Sequence, residues 1–346
     1  MSLPKTSSAT GKPKKESGIL VKCGGFSTQL ATHVGEKIDG DPLWGSRFDA
    51  KNPTAVVQTH LDFLQNGAQI ILSNTYQSSS EGFMQHLNLT KEQSIQLMRK
   101  SVQLAKEAKQ KYLTVSTNDM HDPVSPWIMA SIGPYGAHLH DGSEYNGSYA
   151  NRISVEEIQN WHRPRIEACL AEGVDGLAIE TIPCLMEAEA IVDMVLRDYP
   201  DVKFWVSFQC KDEKCLAHGD LFADAVASIW QRVTAKEARK LCLAIGVNCV
   251  NPAFVSQLFK SIRQDSVDAR IPLIVYSNRG EIYDVDTGEW TGRESCVTLE
   301  TFVPEWIELG ARIVGGCCRV YPADILRIRN CIDDLENSNC ALKIQK

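Results

Sequence analysis

The chain of 346 residues lacks any apolar run of about 18 residues, so the sequence predicts no membrane-spanning helix. It also lacks an excess of basic residues, because 36 Lys and Arg stand against 43 Asp and Glu, a formal net charge of −7. Such a chain has no general attraction to nucleic acid or anionic membranes. Residues 1–17 lack the apolar segment of a secretory signal, and we expect them to form a disordered leader. These absences favour a cytoplasmic protein.

Two common motifs are missing as well. No GxGxxG follows an apolar segment, which weakens a doubly wound dinucleotide-binding fold. No CxxC occurs, so thiol–disulfide exchange has little support. The chain nevertheless has twelve cysteines spread over its length. This usage favours reduced thiols, most of them buried as small apolar residues, with a metal-binding or catalytic role for a few.

Short apolar segments rich in β-branched residues recur along the chain and end in Gly, Asn, Thr or Cys. There are eight of them, at residues 18–25, 68–75, 127–134, 175–181, 202–210, 242–249, 272–278 and 311–318. Helical segments lie between them, and two begin with a capping box, Ser154 with Glu157 and Thr90 with Gln93. This alternation predicts an α/β fold, a (β/α)8 TIM barrel over residues 18–335, followed by a C-terminal tail at 336–346.

The active site of such a barrel lies at the carboxyl ends of its strands. Three cysteines are predicted there, Cys249 after the sixth segment and the adjacent pair Cys317 and Cys318 after the eighth. Three thiolates fit zinc best among common metals, and an open fourth position is typical of a catalytic site. A closed structural site, with Cys23 or Cys210 as fourth ligand, is an alternative, as is burial without any metal.

A zinc ion held by three thiolates has about one net negative charge, so it activates water poorly. It holds a substrate thiol as a reactive thiolate, which favours alkylation at sulfur. Glu180 ends the fourth segment, and a buried carboxylate there would suit the ammonium of an amino acid. Asn74, Thr75 and Asn278 would orient a carboxylate, or alternatively close their own loops by hydrogen bonds.

Several stretches together resemble the homocysteine S-methyltransferase family, in particular its single-domain type that uses S-methylmethionine or S-adenosylmethionine. The similarity covers about residues 18–335, and the matching stretches include "GGFSTQL" (24–30), "SNTYQ" (73–77), "SIGPYGAHLHDGSEYNGSY" (131–149), "ETIP" (180–183), "GVNC" (246–249) and "GGCC" (315–318). Betaine–homocysteine methyltransferase is a related enzyme.

The resemblance implies a methyl transfer from a sulfonium donor to the thiol of homocysteine, giving methionine. It implies that Cys249, Cys317 and Cys318 bind Zn²⁺ and act in catalysis, and that Glu180 holds the homocysteine amino group. Substrate contacts would come from the backbone of Gly24 and Gly25 and from the third-strand loop, where Tyr135 and Tyr145 would face the sulfonium. We expect a monomer or weak dimer, and the sequence leaves open whether selenocysteine is also an acceptor.

Two positions depart from the family pattern. The family has Asp-Gly-Gly at the end of the first strand, where this chain has Cys23, Gly24 and Gly25. The aspartate helps to bind the homocysteine amino group, so its loss predicts weaker binding. The alternative is a non-catalytic zinc- or thiol-binding relative whose site Cys23 closes. Ser277 and Arg279 also differ from the usual Pro-Asn-Ser-Gly and predict a changed loop after the seventh strand.

Overall fold

The structure is a computed structural model that describes residues 18–119, 125–262, 271–284 and 289–344; the predicted leader at 1–17 lies outside them. Eight parallel strands form one sheet, and each of the eight predicted segments overlaps one of them. The strands are β1 (Leu20–Val21), β2 (Ile70–Leu72), β3 (Trp127–Ile132), β4 (Gly176–Ile182), β5 (Phe204–Phe208), β6 (Cys242–Asn248), β7 (Leu273–Ser277) and β10 (Ala311–Gly316).

These strands follow chain order around the sheet, with β10 between β7 and β1. The first and second strands complete the circle, because Lys22 and Ile70 pair in parallel. The Cys23 amide donates to the Ile70 carbonyl at 2.9 Å, and the Gln69 amide donates to the Val21 carbonyl at 2.7 Å. The predicted (β/α)8 barrel is therefore confirmed.

Helices cover the outside of the barrel. They are α1 (Phe26–Val34), α2 (Phe48–Lys51), α3 (Pro53–Gln65), α4 (Ser80–Leu87), α5 (Lys91–Asp119), α6 (Tyr135–Leu139), α7 (Val155–Ala171), α8 (Leu185–Asp198), α9 (Phe222–Ala235), α10 (Pro252–Ser261), α11 (Val303–Glu308) and α12 (Pro322–Ile344). The last helix continues through most of the predicted tail. Both predicted capping boxes are present, at Ser154 with Glu157 and at Thr90 with Gln93. Pro164 lies inside α7 without ending it.

Longer connections gather at the carboxyl ends of the strands. One runs from α1 to α2, one contains α6 after β3, and one forms a small antiparallel hairpin of β8 (Ile282–Asp284) and β9 (Glu289–Thr291). Residues from all three connections line a single pocket at this end of the barrel. In the part of the chain that the structure describes, we find no helix with the length and apolar character of a membrane span.

Candidate active site

The pocket at the carboxyl ends of the strands has a volume of about 930 Å³. Its floor consists of strand-end residues, and its mouth consists of the longer connections. Most of the predicted site residues line it, namely Cys23, Gly24, Gly25, Asn74, Glu180, Cys249, Cys317 and Cys318. Thr75 and Asn278 are not among the lining residues.

The three predicted metal ligands lie together. The sulfur atoms of Cys249, Cys317 and Cys318 are all within 4.8 Å of one another, with 3.6 Å between Cys249 and Cys318 and 4.0 Å between Cys317 and Cys318. A tetrahedral zinc with Zn–S bonds of about 2.3 Å separates its sulfur ligands by about 3.8 Å. The sulfur positions therefore suit one zinc ion. Neither Cys23 nor Cys210 belongs to this group among the described residues.

The backbone at Cys249 places its thiol in this group. Cys249 has a φ of 52°, in the left-handed region that non-glycine residues rarely adopt. Its neighbour Asn248 is buried and ties β6 to β4, because it accepts from the Thr181 amide at 2.7 Å and donates to the Thr181 hydroxyl at 2.7 Å. Thr181 also has a left-handed φ, of 60°. The two hydrogen bonds of the Asn248 side chain thus hold the left-handed backbone at Cys249 and Thr181 in place. Sequence reasoning did not predict this structural role for Asn248.

The three thiols differ in their tendency to ionise. Hydrogen bonds from Cys249 and Cys318 hold the pKa of Cys317 well below its usual value, and the charge of Lys22 lowers it further against the effect of burial. The pKa of Cys249 is raised mainly by its hydrogen bond with Cys317, and the pKa of Cys318 is raised mainly by its hydrogen bond with Cys249. A thiol with a lowered pKa in such a group suits a cation at its centre.

Glu180 lies on the same floor and is 5% exposed. Its Oε1 accepts a hydrogen bond from the Ser131 hydroxyl, and its carboxylate also contacts the Tyr276 hydroxyl. Burial raises the pKa of Glu180, while the charge of Lys22 and the Ser131 hydrogen bond lower it. The predicted contact of this carboxylate with a cationic ligand stays a prediction.

Lys22 is a floor residue that sequence reasoning missed. It is 3% exposed, its Nζ donates to the Gly316 carbonyl at 3.0 Å, and it lies 4.5 Å from the centre of the Tyr276 ring. The sequence contains a pattern that indicates this residue, because a single lysine interrupts the apolar segment "GILVKCGG". A lysine in an otherwise buried strand needs partners at the strand end.

The residues after Lys22 pack closely against the chain at the pocket floor. Cys23 is buried, and this burial raises the pKa of its thiol, so it stands as a neutral group where the family has a carboxylate. A Cβ at Gly24 would collide with the Val320 carbonyl, and one at Gly25 would collide with the Cys317 carbonyl. Both positions therefore require glycine for the backbone of β1 to pass close to the thiol group.

The polar residues predicted to orient a carboxylate have partners in the fold. The Asn74 amide donates to the Gly45 carbonyl at 2.8 Å and to Asp49 at 3.0 Å. The fully buried Thr75 hydroxyl donates to the Ser131 carbonyl at 2.8 Å, and Asn278 accepts from the Gly280 amide at 2.9 Å. These bonds favour the alternative that all three close loops. Substrate contact by them stays a prediction.

The loop after β7 contains Ser277 and Arg279, the two residues for which a changed loop is predicted. Ser277 is buried, and its carbonyl accepts from the Cys317 amide at 2.8 Å. Arg279 forms an ion pair of 3.0 Å with Asp324 at the start of α12. This arginine therefore ties the loop to a helix instead of adding a charge to the pocket lining.

The mouth of the pocket is aromatic and acidic. The half-buried rings of Trp44, Tyr145 and Trp290 lie on the three longer connections, and those of Phe26 and Tyr76, which also line the pocket, lie on the segments that directly follow β1 and β2. Burial raises the pKa of Glu144 to about 7, and its Oε2 has no hydrogen-bond partner among the described residues. Asp39 accepts from the Trp290 indole at 3.0 Å. Aromatic faces and carboxylates together attract organic cations. Tyr135, by contrast, packs against Tyr149 and Trp161 and is not a lining residue.

Buried charges on α7 and α8 hold this mouth in position. Arg165 donates to the carbonyls of Tyr76 and Gly133, each at 2.6 Å. Glu187 accepts from the Tyr135 amide at 2.7 Å, from the Tyr149 hydroxyl, and from His162 at 2.8 Å. The motif "WHRPRIEA" thus supplies supports for the loops after β2 and β3, a role that the sequence alone did not reveal.

Comparison with known proteins gives a consistent result. Residues 20–332 match the family model described as homocysteine S-methyltransferase. The betaine-homocysteine S-methyltransferase of Drosophila melanogaster is 62% identical, over 92% of this chain and 95% of that protein. Homocysteine S-methyltransferase YbgG of Bacillus subtilis is 38% identical, over 90% of this chain and 93% of that protein.

Solved structures agree with the fold. The metallated form of the Escherichia coli homocysteine methyltransferase MmuM superimposes with a TM-score of 0.76 at 33% identity, over 91% of this chain and 96% of that one. The oxidised form of the same protein gives the same TM-score. The similarity thus extends over nearly the whole barrel.

Proposed function

Because the chain belongs to the homocysteine S-methyltransferase family, we propose that it is a zinc-dependent methyltransferase of the cytosol that converts homocysteine to methionine with an onium methyl donor. The observation that carries the proposal is the position of three convergent thiols and a buried carboxylate in one pocket, below an aromatic and acidic mouth. The eleven described cysteines are free thiols, which supports a reducing compartment.

The metal would be held by Cys249, Cys317 and Cys318, whose sulfur separations suit a tetrahedral zinc. When bound, zinc would supply a Lewis acid that keeps the acceptor sulfur deprotonated and nucleophilic at neutral pH. Cys23 stays outside the proposed ligand set because its sulfur is not part of the convergent group. This separation supports an open site over the closed, non-catalytic alternative.

The floor would orient the acceptor. The homocysteine sulfur would lie at the three cysteines, and its ammonium would lie near the Glu180 carboxylate, which Ser131 and Tyr276 hold in place. Gly24 and Gly25 would allow the backbone of β1 to approach the substrate. Two attachment points fix the direction of the sulfur, which is what an in-line displacement needs.

The mouth would hold the donor. We favour a sulfonium donor, S-methylmethionine or S-adenosylmethionine, whose positive centre would lie among the faces of Trp44, Tyr76 and Tyr145 and near Glu144. In the transfer, the acceptor sulfur forms a bond to the methyl carbon while the bond from that carbon to the donor heteroatom breaks. The electron pair of the broken bond stays on the donor. The acceptor thiolate thereby loses its negative charge, and the donor heteroatom loses its positive charge.

Betaine is a second candidate donor, and the 62% identity to the betaine-homocysteine S-methyltransferase of Drosophila melanogaster favours it. Its methyl groups lie on a quaternary ammonium, which the same aromatic faces attract. The two donor classes differ in the heteroatom that leaves and in the presence of an amino group. The lining of the mouth supports either cation.

The test is a methyl-transfer assay on the purified chain with homocysteine and each of the three donors in turn, together with zinc analysis of the same sample. We expect methionine from at least one donor and about one zinc per chain. A zinc-loaded protein that forms no methionine with any donor would exclude the methyltransferase proposal. A ranking of the donors by kcat/KM decides between the sulfonium and betaine proposals, and gel filtration tests the predicted monomer or weak dimer.

A further inference from the structure

The floor of the pocket contains a cation of the chain itself. The Lys22 ammonium donates to the Gly316 carbonyl at 3.0 Å and lies 3.5 Å from the Gly24 carbonyl. The ammonium also lies over the Tyr276 ring, and its Nζ is 4.5 Å from the centre of that ring. The described contacts of this buried charge are thus two carbonyl oxygens and an aromatic face. These partners orient the ammonium without neutralising it.

Lys22 and Glu180 act on each other through space. The Lys22 charge is the strongest influence that favours ionised Glu180, and both residues line the pocket. Tyr276 contacts both side chains, with the Lys22 ammonium over its ring and the Glu180 carboxylate at its hydroxyl. The end of the pocket that would receive the polar group of an acceptor therefore has the Glu180 carboxylate and the Lys22 ammonium before any ligand enters, and the same ammonium also acts on the Cys317 sulfur.

Cys23 adds no further anion. It is 3% exposed, and burial raises the pKa of its thiol, so it stays neutral at physiological pH. A ligand ammonium that approaches Glu180 also approaches the Lys22 ammonium, and the repulsion offsets part of the attraction. A ligand carboxylate in the same place would meet a desolvated cation as its partner. The charges on the floor thus give a thiol ligand with an amino group little advantage in binding over a thiol ligand without one.

We propose that Lys22 determines acceptor specificity and extends it to mercapto-carboxylates that lack the amino group. The inference rests on the proposed methyl transfer to a thiol. The probe is 4-mercaptobutanoate, which is homocysteine without its amino group. In its reaction the sulfur forms a bond to the donor methyl, the bond from that methyl to the cationic heteroatom breaks with its electrons remaining on the donor, and a methylthio acid results.

The deciding measurement is the dissociation constant of each thiol for the zinc-loaded protein, obtained by calorimetry without a donor. We compare the wild type with Lys22→Met, which keeps the side-chain length and removes the charge. Lys22→Arg, which keeps the charge, is the matched control. We expect wild-type protein to bind 4-mercaptobutanoate within about tenfold of homocysteine, and Lys22→Met to shift the ratio at least tenfold toward homocysteine.

Glu180→Gln supplies a second test that needs no change at Lys22. It removes the anion and leaves the cation, so homocysteine should bind more weakly and 4-mercaptobutanoate more tightly. The inference is overturned if neither variant moves the ratio of the two constants by tenfold, or if both thiols change alike. Failure of methyl transfer itself has a different signature, because zinc-loaded wild type would then bind thiols and form no methylated product from either.

Discussion

The floor and the mouth of the pocket are built in different ways. The floor consists of strand ends, where Cys249, Cys317 and Cys318 follow hydrogen-bonded parallel strands and Glu180 lies near the end of β4. The mouth consists of connections such as the segment with α6, whose position depends on buried side chains of two helices, Arg165 and Glu187. The strand pairing of the barrel therefore determines the positions of the floor residues directly. It determines the positions of the mouth residues only through buried side chains on the surrounding helices.

Under the proposed function, the two reactants would occupy separate regions. The three cysteines and Glu180 would receive the acceptor, and the rings of Trp44, Tyr76 and Tyr145 would receive the cationic donor. Variants on the floor should change acceptor binding and zinc, and variants at the mouth should change donor binding. The predictions below test this division.

The largest effect is expected from Cys318→Ala. It removes one of three convergent thiols, so we expect loss of bound zinc and a fall in kcat of more than about a hundredfold. The measurement is metal analysis beside methionine formation. Cys331→Ser is the matched control, because this half-buried cysteine lies on α12 and should retain both zinc and activity. Full zinc content in Cys318→Ala would contradict the ligand assignment.

A smaller and more selective effect is expected from Glu180→Gln. It removes the anion for the ammonium of homocysteine and should raise the KM for homocysteine by about ten- to hundredfold, since charge-assisted hydrogen bonds contribute about 1.5–3 kcal/mol. The KM for the donor and the zinc content should remain as in the wild type. Steady-state kinetics with each substrate varied in turn measure this. An unchanged KM for homocysteine would mean that the carboxylate only supports the fold through Ser131 and Tyr276.

Cys23→Asp should change homocysteine binding in the opposite direction to Glu180→Gln. A carboxylate beside Lys22 and Glu180 adds a partner for the substrate ammonium, and we expect homocysteine to bind about tenfold more tightly at unchanged zinc content. The measurement is the dissociation constant of homocysteine for the zinc-loaded protein. Cys23→Ser is the control, because it is of similar size and neutral. Weaker zinc binding together with new activity would instead indicate that Cys23 closes the site.

The smallest effect concerns the mouth and its pH dependence. The pKa of Glu144 is raised to about 7 by burial, so its carboxyl is neutral below this pH and anionic above it. The anion attracts the cationic donor, and the KM for the donor should therefore fall by a few-fold as the pH rises from about 6 to 8. Glu144→Gln should remove this dependence and leave the KM for homocysteine unchanged. An identical pH profile in the variant would show that Glu144 does not contact the donor.

Much of the fold was determined by the sequence itself. Eight apolar segments, the capping boxes at Ser154 and Thr90, and cysteines after the sixth and eighth segments are local patterns, and each has a local physical cause. Strand order then follows from the alternation with helices. The barrel and the candidate ligands Cys249, Cys317 and Cys318 could therefore be predicted from these patterns and the family resemblance.

Only the tertiary structure decided which polar side chains reach the pocket. Asn74, Thr75 and Asn278 are local to strand ends, yet their hydrogen bonds go to Gly45, Ser131 and Gly280. Lys22 reads as an interruption in an apolar segment and becomes a buried cation beside Glu180 only when β1 pairs with β10 and with Ile70, which closes the barrel. The physical reason is that strand formation depends on neighbouring residues, whereas the partners of a buried polar group come from distant parts of the chain.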